Sequence, residues 1–227
     1  WIENKMNQKM NTILKTEGKD YVIASDTDSI YLHMGDLVDA VYKGREKTTE
    51  GIVTFLNKVC EMELEPYIES SYQELADYVN AYDQKMIMKR ENIADRGIWT
   101  AKKRYILNVW DSEGVRYEEA KLKIMGIEAI KTSTPAPCRK MLKDAFKILM
   151  SGTEEECIEY IERCRKEFKS LPPEEVSFPR TASNVEKWHS SADLYGKGCP
   201  IHIRGAILYN HWTKKKDIDH KYATIQN

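Results

Sequence analysis

The sequence has no long apolar run, since its purely apolar stretches span only a few residues. A transmembrane helix needs about 20 consecutive apolar residues, so no membrane span is predicted. No basic, apolar and small-residue leader opens the chain, and no secretory signal is expected. The residues that are present, 41% hydrophobic and 31% charged, are typical of a globular protein with its own core.

Paired cysteines are also lacking. The five cysteines contain no C-x-x-C pair, which excludes zinc ribbons and thioredoxin-type redox sites. An odd number of scattered cysteines suits a reducing compartment, so we expect a cytoplasmic protein, in the host cytoplasm if the source is viral. The cysteines are Cys60, Cys138, Cys157, Cys164 and Cys199.

An excess of charge of either sign is missing as well, because the net charge is −1. The distribution is uneven: residues 61–80 hold six acids and no Lys or Arg, whereas residues 84–104 hold seven bases and two acids. Local charge density decides what a phosphate a few ångströms away experiences. The basic stretch is therefore either a nucleic-acid-binding face or an ordinary solvated surface.

The hydrophobic pattern predicts an α+β fold in two units. Residues 1–130 should form an antiparallel sheet with packed helices, and residues 131–227 a mostly helical unit. The first unit is predicted to contain helices over Trp1–Leu14 and from Glu46 to about Tyr82, and Pro66 should kink or split the second of them. The predicted strands are Tyr21–Ala24, Ile30–Leu32, Lys85–Ile93, Trp99–Trp110 and Val115–Met125. A hairpin turn is expected at Asp111–Gly114. The second should contain a helix with Thr134 as N-cap and Pro135 at its first position, a helix from Glu154 to about Ser170, and an amphipathic stretch from about Pro200 to Trp212.

Asp26 and Asp28 stand in a predicted turn between two apolar strands, Ser25-Asp26-Thr27-Asp28-Ser29. Mg²⁺ takes few carboxylates together with waters and substrate phosphates, which such a turn can offer. A turn in which Asp and Thr bond only local backbone groups explains the pattern equally well. A calcium loop does not, because its sixth position is Tyr31 instead of Gly and its twelfth is Leu37 instead of Glu.

Four motifs in order resemble those of family B DNA polymerases, and the last resembles a thumb segment of the T-even bacteriophage replicative polymerases. The segment from Tyr21 to Tyr31 is similar to the palm hairpin usually written YGDTDS. It is followed by Lys102-Lys103-Arg104-Tyr105, then Lys121-Leu-Lys-Ile-Met-Gly-Ile-Glu128 with Lys131-Thr-Ser-Thr-Pro135, and Cys199-Pro-Ile-His-Ile-Arg-Gly205. The resemblance implies the C-terminal palm and a partial thumb of a template-directed polymerase.

In such enzymes two Mg²⁺ ions act on the incoming deoxynucleoside triphosphate and the primer 3′ oxygen. The resemblance makes Asp28 a direct metal ligand and Asp26 a supporting catalytic carboxylate. Glu91 matches a further acid near the active site, although a salt bridge to a base explains it equally well.

The resemblance also implies contacts with primer–template DNA. The element Lys102–Tyr105 is expected on a strand beside the primer terminus, with Lys103 and Tyr105 on one face and Lys102 and Arg104 on the other. A solvated basic strand is the alternative, as a salt bridge is for Lys123 and helix capping is for Thr134. The expected DNA contacts are Lys102, Lys103, Arg104, Tyr105, Lys123, Thr132, Ser133, Thr134 and Arg204.

Several differences from the family's motifs limit the predicted function to that of one part of a polymerase. Ser25 replaces the Gly that usually precedes the first aspartate, and the family's earlier metal-binding aspartate and fingers helix do not occur. The chain also opens at Trp1, so we expect part of a truncated or split polymerase that is inactive without its remaining portion. A sliding clamp is a candidate partner, although residues 214–227 do not resemble a clamp-binding peptide.

Two other functions were weighed. A non-catalytic duplex-DNA-binding module that retains the turn is the main alternative. A metal-dependent glycosyltransferase needs a nucleotide-binding βαβ unit before the turn, and the roughly twenty preceding residues are too few for one.

Overall fold

The computed structural model describes residues 1–190 and 192–216, and its fold is α+β as predicted. Its strands form two antiparallel sheets, β1-β2 and β3-β4-β5. The elements are α1 (Ile2–Leu14), β1 (Val22–Asp26), β2 (Ser29–Leu32), α2 (Gly35–Val41), α3 (Thr49–Val59), α4 (Glu65–Tyr78), β3 (Asn92–Ala101), β4 (Arg104–Ser112), β5 (Val115–Met125), α5 (Ala136–Ser151), α6 (Glu154–Ser170), α7 (Pro173–Val176) and α8 (Ile201–Lys216).

The chain divides into two compact units. The first comprises Trp1–Ile130 with Phe146–Cys157, and the second comprises Lys131–Ala145 with the residues from Ile158 onward. Their assignment as palm and thumb stays a prediction, and residues 217–227, most of the segment compared with a clamp peptide, lie outside the described part of the chain. Within that part, none of the helices has the length and apolar character needed to cross a bilayer.

Helix α1 provides the floor on which the β1-β2 hairpin rests. Met6 and Met10, one turn apart, are fully buried against Tyr21 and Val22 at the start of β1. Asn7 follows Met6 in the sequence, and its side-chain Oδ1 accepts hydrogen bonds from the backbone N–H groups of Tyr21 (2.8 Å) and Val22 (2.9 Å). The hairpin is therefore tied to α1 by both apolar packing and a bidentate polar contact.

The long predicted helix is interrupted, as expected near Pro66. Helix α3 is capped by Thr48, whose side chain accepts from the Gly51 N–H, and it passes into a π-helical turn over Cys60–Leu64 before α4 begins. Proline lacks an N–H and its ring crowds the carbonyl four residues earlier, here that of Met62. The wider π turn accommodates that carbonyl, so the interruption lies on the N-terminal side of Pro66.

The strand prediction was wrong in two places. Lys85–Ile93 was predicted as a strand, but β3 begins only at Asn92 and residues 83–91 are irregular. The predicted strand Trp99–Trp110 is broken by a two-residue turn at Lys102–Lys103, where Lys103 has a φ of +60°. The sequence Lys102-Lys103 contains none of the residues that are usual in hairpin turns, so the local sequence pattern did not predict this turn.

The remaining boundaries agree closely with the predicted ones. The hairpin after β4 turns at Glu113 and Gly114, whose φ angles of +52° and +88° are typical of a type I′ turn. Helix α5 begins at Ala136, and the Arg139 N–H donates to the Pro135 carbonyl (3.0 Å). Pro135 therefore occupies the capping position, one residue before its predicted place.

A buried ion pair fastens the irregular segment before β3 to the sheet. Asp111 on β4 is only 2% exposed, and its carboxylate accepts from the Arg90 guanidinium, the Gly114 N–H (3.0 Å) and Arg116 Nε (3.3 Å). Burial alone raises the pKa of Asp111, but the hydrogen bonds from Arg90, Gly114 and Arg116 outweigh burial and hold the pKa below its ordinary value.

Substitution of Asp111 by Asn should lower the free energy of unfolding by about 3–5 kcal/mol, because it leaves Arg90 buried without its counter-charge. Urea denaturation at pH 7 measures this loss. The matched control Asp39→Asn, in the exposed pair with Lys47, should change stability by less than about 1 kcal/mol. Equal losses in the two variants would contradict the assignment.

The same carboxylate predicts a pH dependence. Because the folded-state pKa lies below the unfolded value of about 3.9, the stabilisation is complete above that pH and is lost as pH falls through the folded pKa. The wild-type advantage over Asp111→Asn should therefore shrink below about pH 4 in denaturation curves. A constant difference from pH 7 to pH 2 would contradict it.

Candidate active site

The acidic turn is the two-residue tip of the β1-β2 hairpin. Asp26 ends β1 and pairs with Ser29, so Thr27 and Asp28 form the turn. Thr27 has a φ of +35°, which is rare for a β-branched residue and strained. Asp28 is exposed at the tip, where its carboxylate is available to a ligand.

Ser25, which replaces the family's usual Gly, causes no distortion. It lies within β1 opposite Ile30, and the positive φ of the hairpin occurs at Thr27. The exposed hydroxyl of Ser25 donates to the Glu3 carboxylate at 3.4 Å. The turn therefore accommodates the extra Cβ.

Asp26 is the more enclosed of the two carboxylates. Its Oδ1 accepts a hydrogen bond from the Thr27 hydroxyl (3.1 Å) and lies 3.8 Å from Lys103 Nζ. Its backbone carbonyl accepts from the Ser29 hydroxyl (3.2 Å). The Asp26 side chain is thus in contact with its own turn and with Lys103, whereas Asp28 is exposed.

A cavity of about 220 Å³ lies between the acidic turn and the Lys102–Lys103 turn. Its polar wall comes from the two turns, and its apolar wall comes mainly from aromatic rings. It is lined by Ala24, Ser25, Asp26, Tyr31, Trp99, Ala101, Lys102, Lys103 and Tyr105. The structure therefore brings Asp26 and both predicted lysines together around one cavity, whereas Asp28 is not among the lining residues.

The apolar wall is built around Tyr31, which sequence reasoning did not select. The Tyr31 ring packs edge-on against Trp99 (centroids 5.2 Å apart) and Tyr105 (5.4 Å). Burial, followed by hydrogen bonding with Tyr105, raises the pKa of Tyr31 well above its ordinary value, so its hydroxyl stays protonated. Tyr105, predicted to contact DNA, is itself a buried member of this cluster, and only its remaining surface faces the cavity.

The basic element does not alternate between two faces as predicted. Because Lys102 and Lys103 form a turn, both line the cavity. Arg104 begins β4 and its guanidinium reaches Glu128 Oε2 at 2.5 Å. Arg104 therefore anchors the turn to the segment that follows β5.

Gly126 allows the backbone of the Lys102–Lys103 turn to pack closely against the segment that follows β5. It has a φ of +67°, and a Cβ at this position would lie 2.2 Å from the Lys103 carbonyl oxygen and 3.2 Å from Arg104 Cγ. Only glycine permits so close an approach of the two backbones. In the segment Lys123-Ile-Met-Gly126, the predicted functional residue was Lys123, whereas in the structure Gly126 shapes the site.

The structure pairs two residues that were predicted separately. Lys123 on β5 forms an ion pair with Glu91, the residue before β3. A hydrogen bond from Lys123 lowers the pKa of Glu91, opposed by partial burial. A salt bridge was the stated alternative for each of these residues, and the structure pairs them with each other.

The remaining predicted DNA contacts lie in the second unit. Thr132 and Ser133 are exposed, but Thr134 is buried and its N–H donates to the Lys131 carbonyl (3.1 Å). Arg204 on α8 donates to the Cys199 carbonyl (3.4 Å), and its guanidinium lies over the Tyr195 ring at 4.9 Å. Thr132 and Ser133 are thus the more accessible candidates of this set.

The acidic turn fits the protein's share of a magnesium site. Mg²⁺ is commonly bound through one or two carboxylates, with water and substrate phosphates completing its shell. Asp26 and Asp28 supply such a pair. Over residues 1–190 and 192–216, no group of three or more His, Cys, Asp or Glu side chains is arranged to hold a metal, so the turn alone is not a complete protein cage.

Gly126→Ala should destabilise the protein and displace the Lys102–Lys103 turn, because the new Cβ collides with backbone. The control is Gly114→Ala, which has a similar positive φ of +88° but nothing within 4 Å of the added Cβ. Gly114→Ala should cost about 1 kcal/mol from backbone strain, and Gly126→Ala at least about 1 kcal/mol more. Urea denaturation distinguishes them, and equal costs would show that the close approach is unimportant.

Comparison with known proteins identifies relatives of nearly the whole chain. It is 39% identical over 222 residues to a DNA-directed DNA polymerase of Escherichia phage RB69, which covers 94% of this chain and 24% of the relative. It is 35% identical over 217 residues to a DNA-directed DNA polymerase of Enterobacteria phage T4, covering 92% of this chain and 24% of that relative.

No protein-family model matches the chain. The chain spans about a quarter of the length of the two polymerases. The predicted resemblance to phage polymerases is confirmed by both comparisons. The chain is therefore related, over nearly its whole length, to one segment of the DNA-directed DNA polymerases of T4-like phages.

Proposed function

We propose that this chain is the C-terminal palm and the beginning of the thumb of a family B DNA polymerase, which adds deoxynucleotides to a primer 3′ end under template direction. The observation that carries the proposal is that Asp26, in one turn with the exposed Asp28, lines a single cavity together with Lys102 and Lys103. The similarity to two phage DNA polymerases supports it.

In this proposal Asp28 is the direct metal ligand and Asp26 the supporting carboxylate. Two bound Mg²⁺ ions would supply activation of the primer oxygen and neutralisation of charge on the triphosphate. The protein's contribution is geometric: the short hairpin and the strained Thr27 hold the Asp28 carboxylate out of the strand. The Thr27 hydroxyl donates to the Asp26 carboxylate, whose Oδ1 lies 3.8 Å from Lys103 Nζ.

The lysine turn is the proposed contact for the primer–template duplex. Lys102 and Lys103 both line the cavity, and Lys103 Nζ lies 3.8 Å from the Asp26 carboxylate. Minor-groove acceptors are nearly alike in all base pairs, so a lysine there tests pairing geometry without reading sequence. Arg104 acts by position, since its contact with Glu128 holds the turn in place.

Further contacts with DNA are proposed for Thr132, Ser133 and Arg204, while Glu91 and Lys123 would contribute only after their mutual ion pair opens. Because the chain spans about a quarter of its relatives' length, the other metal ligand and the nucleotide-gripping residues would come from the remaining portion, in the same polypeptide or a second chain. The substrates would be primer–template DNA and a deoxynucleoside triphosphate. A sliding clamp would be a further partner, and the polymerase would act in the host cytoplasm.

The isolated chain should not extend a primed template, because Asp28 is its single proposed direct metal ligand and one carboxylate cannot hold both ions. In a polymerase reconstituted with the remaining portion, Asp28→Asn should reduce primer extension by at least about 1,000-fold, because a direct ligand of the reacting metal is lost. Affinity for the primed duplex should change by less than about threefold, since Asp28 makes no attractive contact with phosphate.

The control Asp39→Asn removes the same charge from the exposed face of α2 and should leave extension unchanged. Extension by the isolated chain would overturn the proposed division of the active site. Full activity of reconstituted Asp28→Asn would favour the alternative, a duplex-DNA-binding module that retains the turn without catalytic use.

A further inference from the structure

The ion pair between Lys103 and Asp26 joins two residues with different proposed tasks. Lys103 Nζ lies 3.8 Å from Asp26 Oδ1, with the lysine side chain 64% exposed and the aspartate side chain 29% exposed. Lys103 is a proposed DNA contact, whereas Asp26 belongs to the proposed metal site. The pair therefore connects the two binding functions directly.

This contact is more constrained than an ordinary surface ion pair. The backbone of Lys103 is fixed in a left-handed turn conformation, and its carbonyl is packed against Gly126. Both partners of the pair line the same cavity as Tyr31, Trp99 and Tyr105. The side chain remains free to swing, because Lys has four rotatable stem bonds and most of its surface is exposed.

We propose that Lys103 is the resident counter-ion of Asp26, which a divalent cation displaces, so that the released ammonium becomes available to DNA. The inference rests on the proposed function, because it takes the acidic turn as the metal site. A divalent cation held by Asp28 at the same turn is also attracted by the Asp26 carboxylate and repels the ammonium that lies beside it. Metal binding at the turn therefore opposes the Asp26–Lys103 ion pair.

The exchange makes metal binding and DNA binding interdependent. A metal ion that removes Lys103 from Asp26 frees a cation for the duplex, and a duplex that holds Lys103 removes the positive charge that opposes metal binding at the turn. By thermodynamic linkage the two effects are equal in size. An exposed ion pair contributes about 0.2–1 kcal/mol, which corresponds to a coupling of up to about fivefold in affinity.

The direct test measures binding of Mn²⁺ alone by electron paramagnetic resonance, with the 227-residue chain and no DNA. Lys103→Gln removes the competing ammonium and should raise Mn²⁺ affinity about two- to fivefold above that of the matched control Lys102→Gln. Lys102 lies in the same turn and lines the same cavity, so its substitution removes the same charge. Lys103→Arg retains a cation and should restore the wild-type affinity.

Equal affinities in Lys103→Gln and Lys102→Gln would overturn the exchange while leaving the proposed metal site intact. Asp28→Asn establishes that the bound Mn²⁺ is the one at the turn, because its affinity should fall at least tenfold. If wild-type binding is absent or does not depend on Asp28, the proposed metal role fails and the exchange fails with it.

The second measurement follows binding of a primed DNA duplex by fluorescence anisotropy at constant ionic strength, with and without Mg²⁺. Relative to Lys103→Gln, the wild-type chain should gain up to about fivefold in affinity when Mg²⁺ is added, and Lys102→Gln should retain that gain. Equal responses in wild type and Lys103→Gln would overturn the coupling. A wild-type chain that binds no duplex would contradict the proposed DNA interface, while the Mn²⁺ comparison would still decide the exchange at Asp26.

Discussion

The site depends on one packing interaction, the edge-on contact of the Tyr31 ring with both Trp99 and Tyr105. A two-stranded hairpin is at best marginally stable by itself, so β1-β2 needs a partner surface to hold its tip in a fixed position. Helix α1 supplies one through Asn7 and Met10, at the far end of the hairpin from the turn. Tyr31 supplies the other by joining the hairpin to the three-stranded sheet. Without that contact, the Asp26 carboxylate and the Lys102–Lys103 turn would have no fixed separation.

Local patterns in the sequence predicted most of the elements, because their causes are local. Apolar spacing located α1, the alternating residues around Asp26 located the hairpin, and the effect of Pro66 on its preceding turn located the break before α4. The Lys102–Lys103 turn could not be found in this way. Its left-handed backbone depends on Gly126 and on the Arg104–Glu128 contact, which lie more than twenty residues further along the chain. A long-range cause leaves no trace in a short window of sequence.

The candidate site shows the same division. Family resemblance selected Asp26, Asp28 and the lysine element, and the structure places Asp26 with both lysines around one cavity. The family resemblance could not predict which side chains pair with each other, because such pairings depend on the register of the sheet. Lys123 meets Glu91 only because β5 pairs with β4 and β4 with β3, so that two residues of separate motifs neutralise each other. Aromatic residues next to the motifs, Tyr31 and Trp99, were the available signal for the cavity wall.

The two turns that face the cavity share an unusual feature, since each has a non-glycine residue at positive φ, Thr27 at +35° and Lys103 at +60°. Such conformations cost of order 1–3 kcal/mol each and persist only where surrounding packing determines them. Here the packing comes from the Tyr31 cluster on one side and the close backbone contact with Gly126 on the other. Both backbones are thus held rigidly, and adjustment is left to the side chains. In the ion pair of Asp26 with Lys103, the lysine side chain is the longer and the more exposed of the two. Lys103 can therefore leave Asp26 without any movement of the backbone.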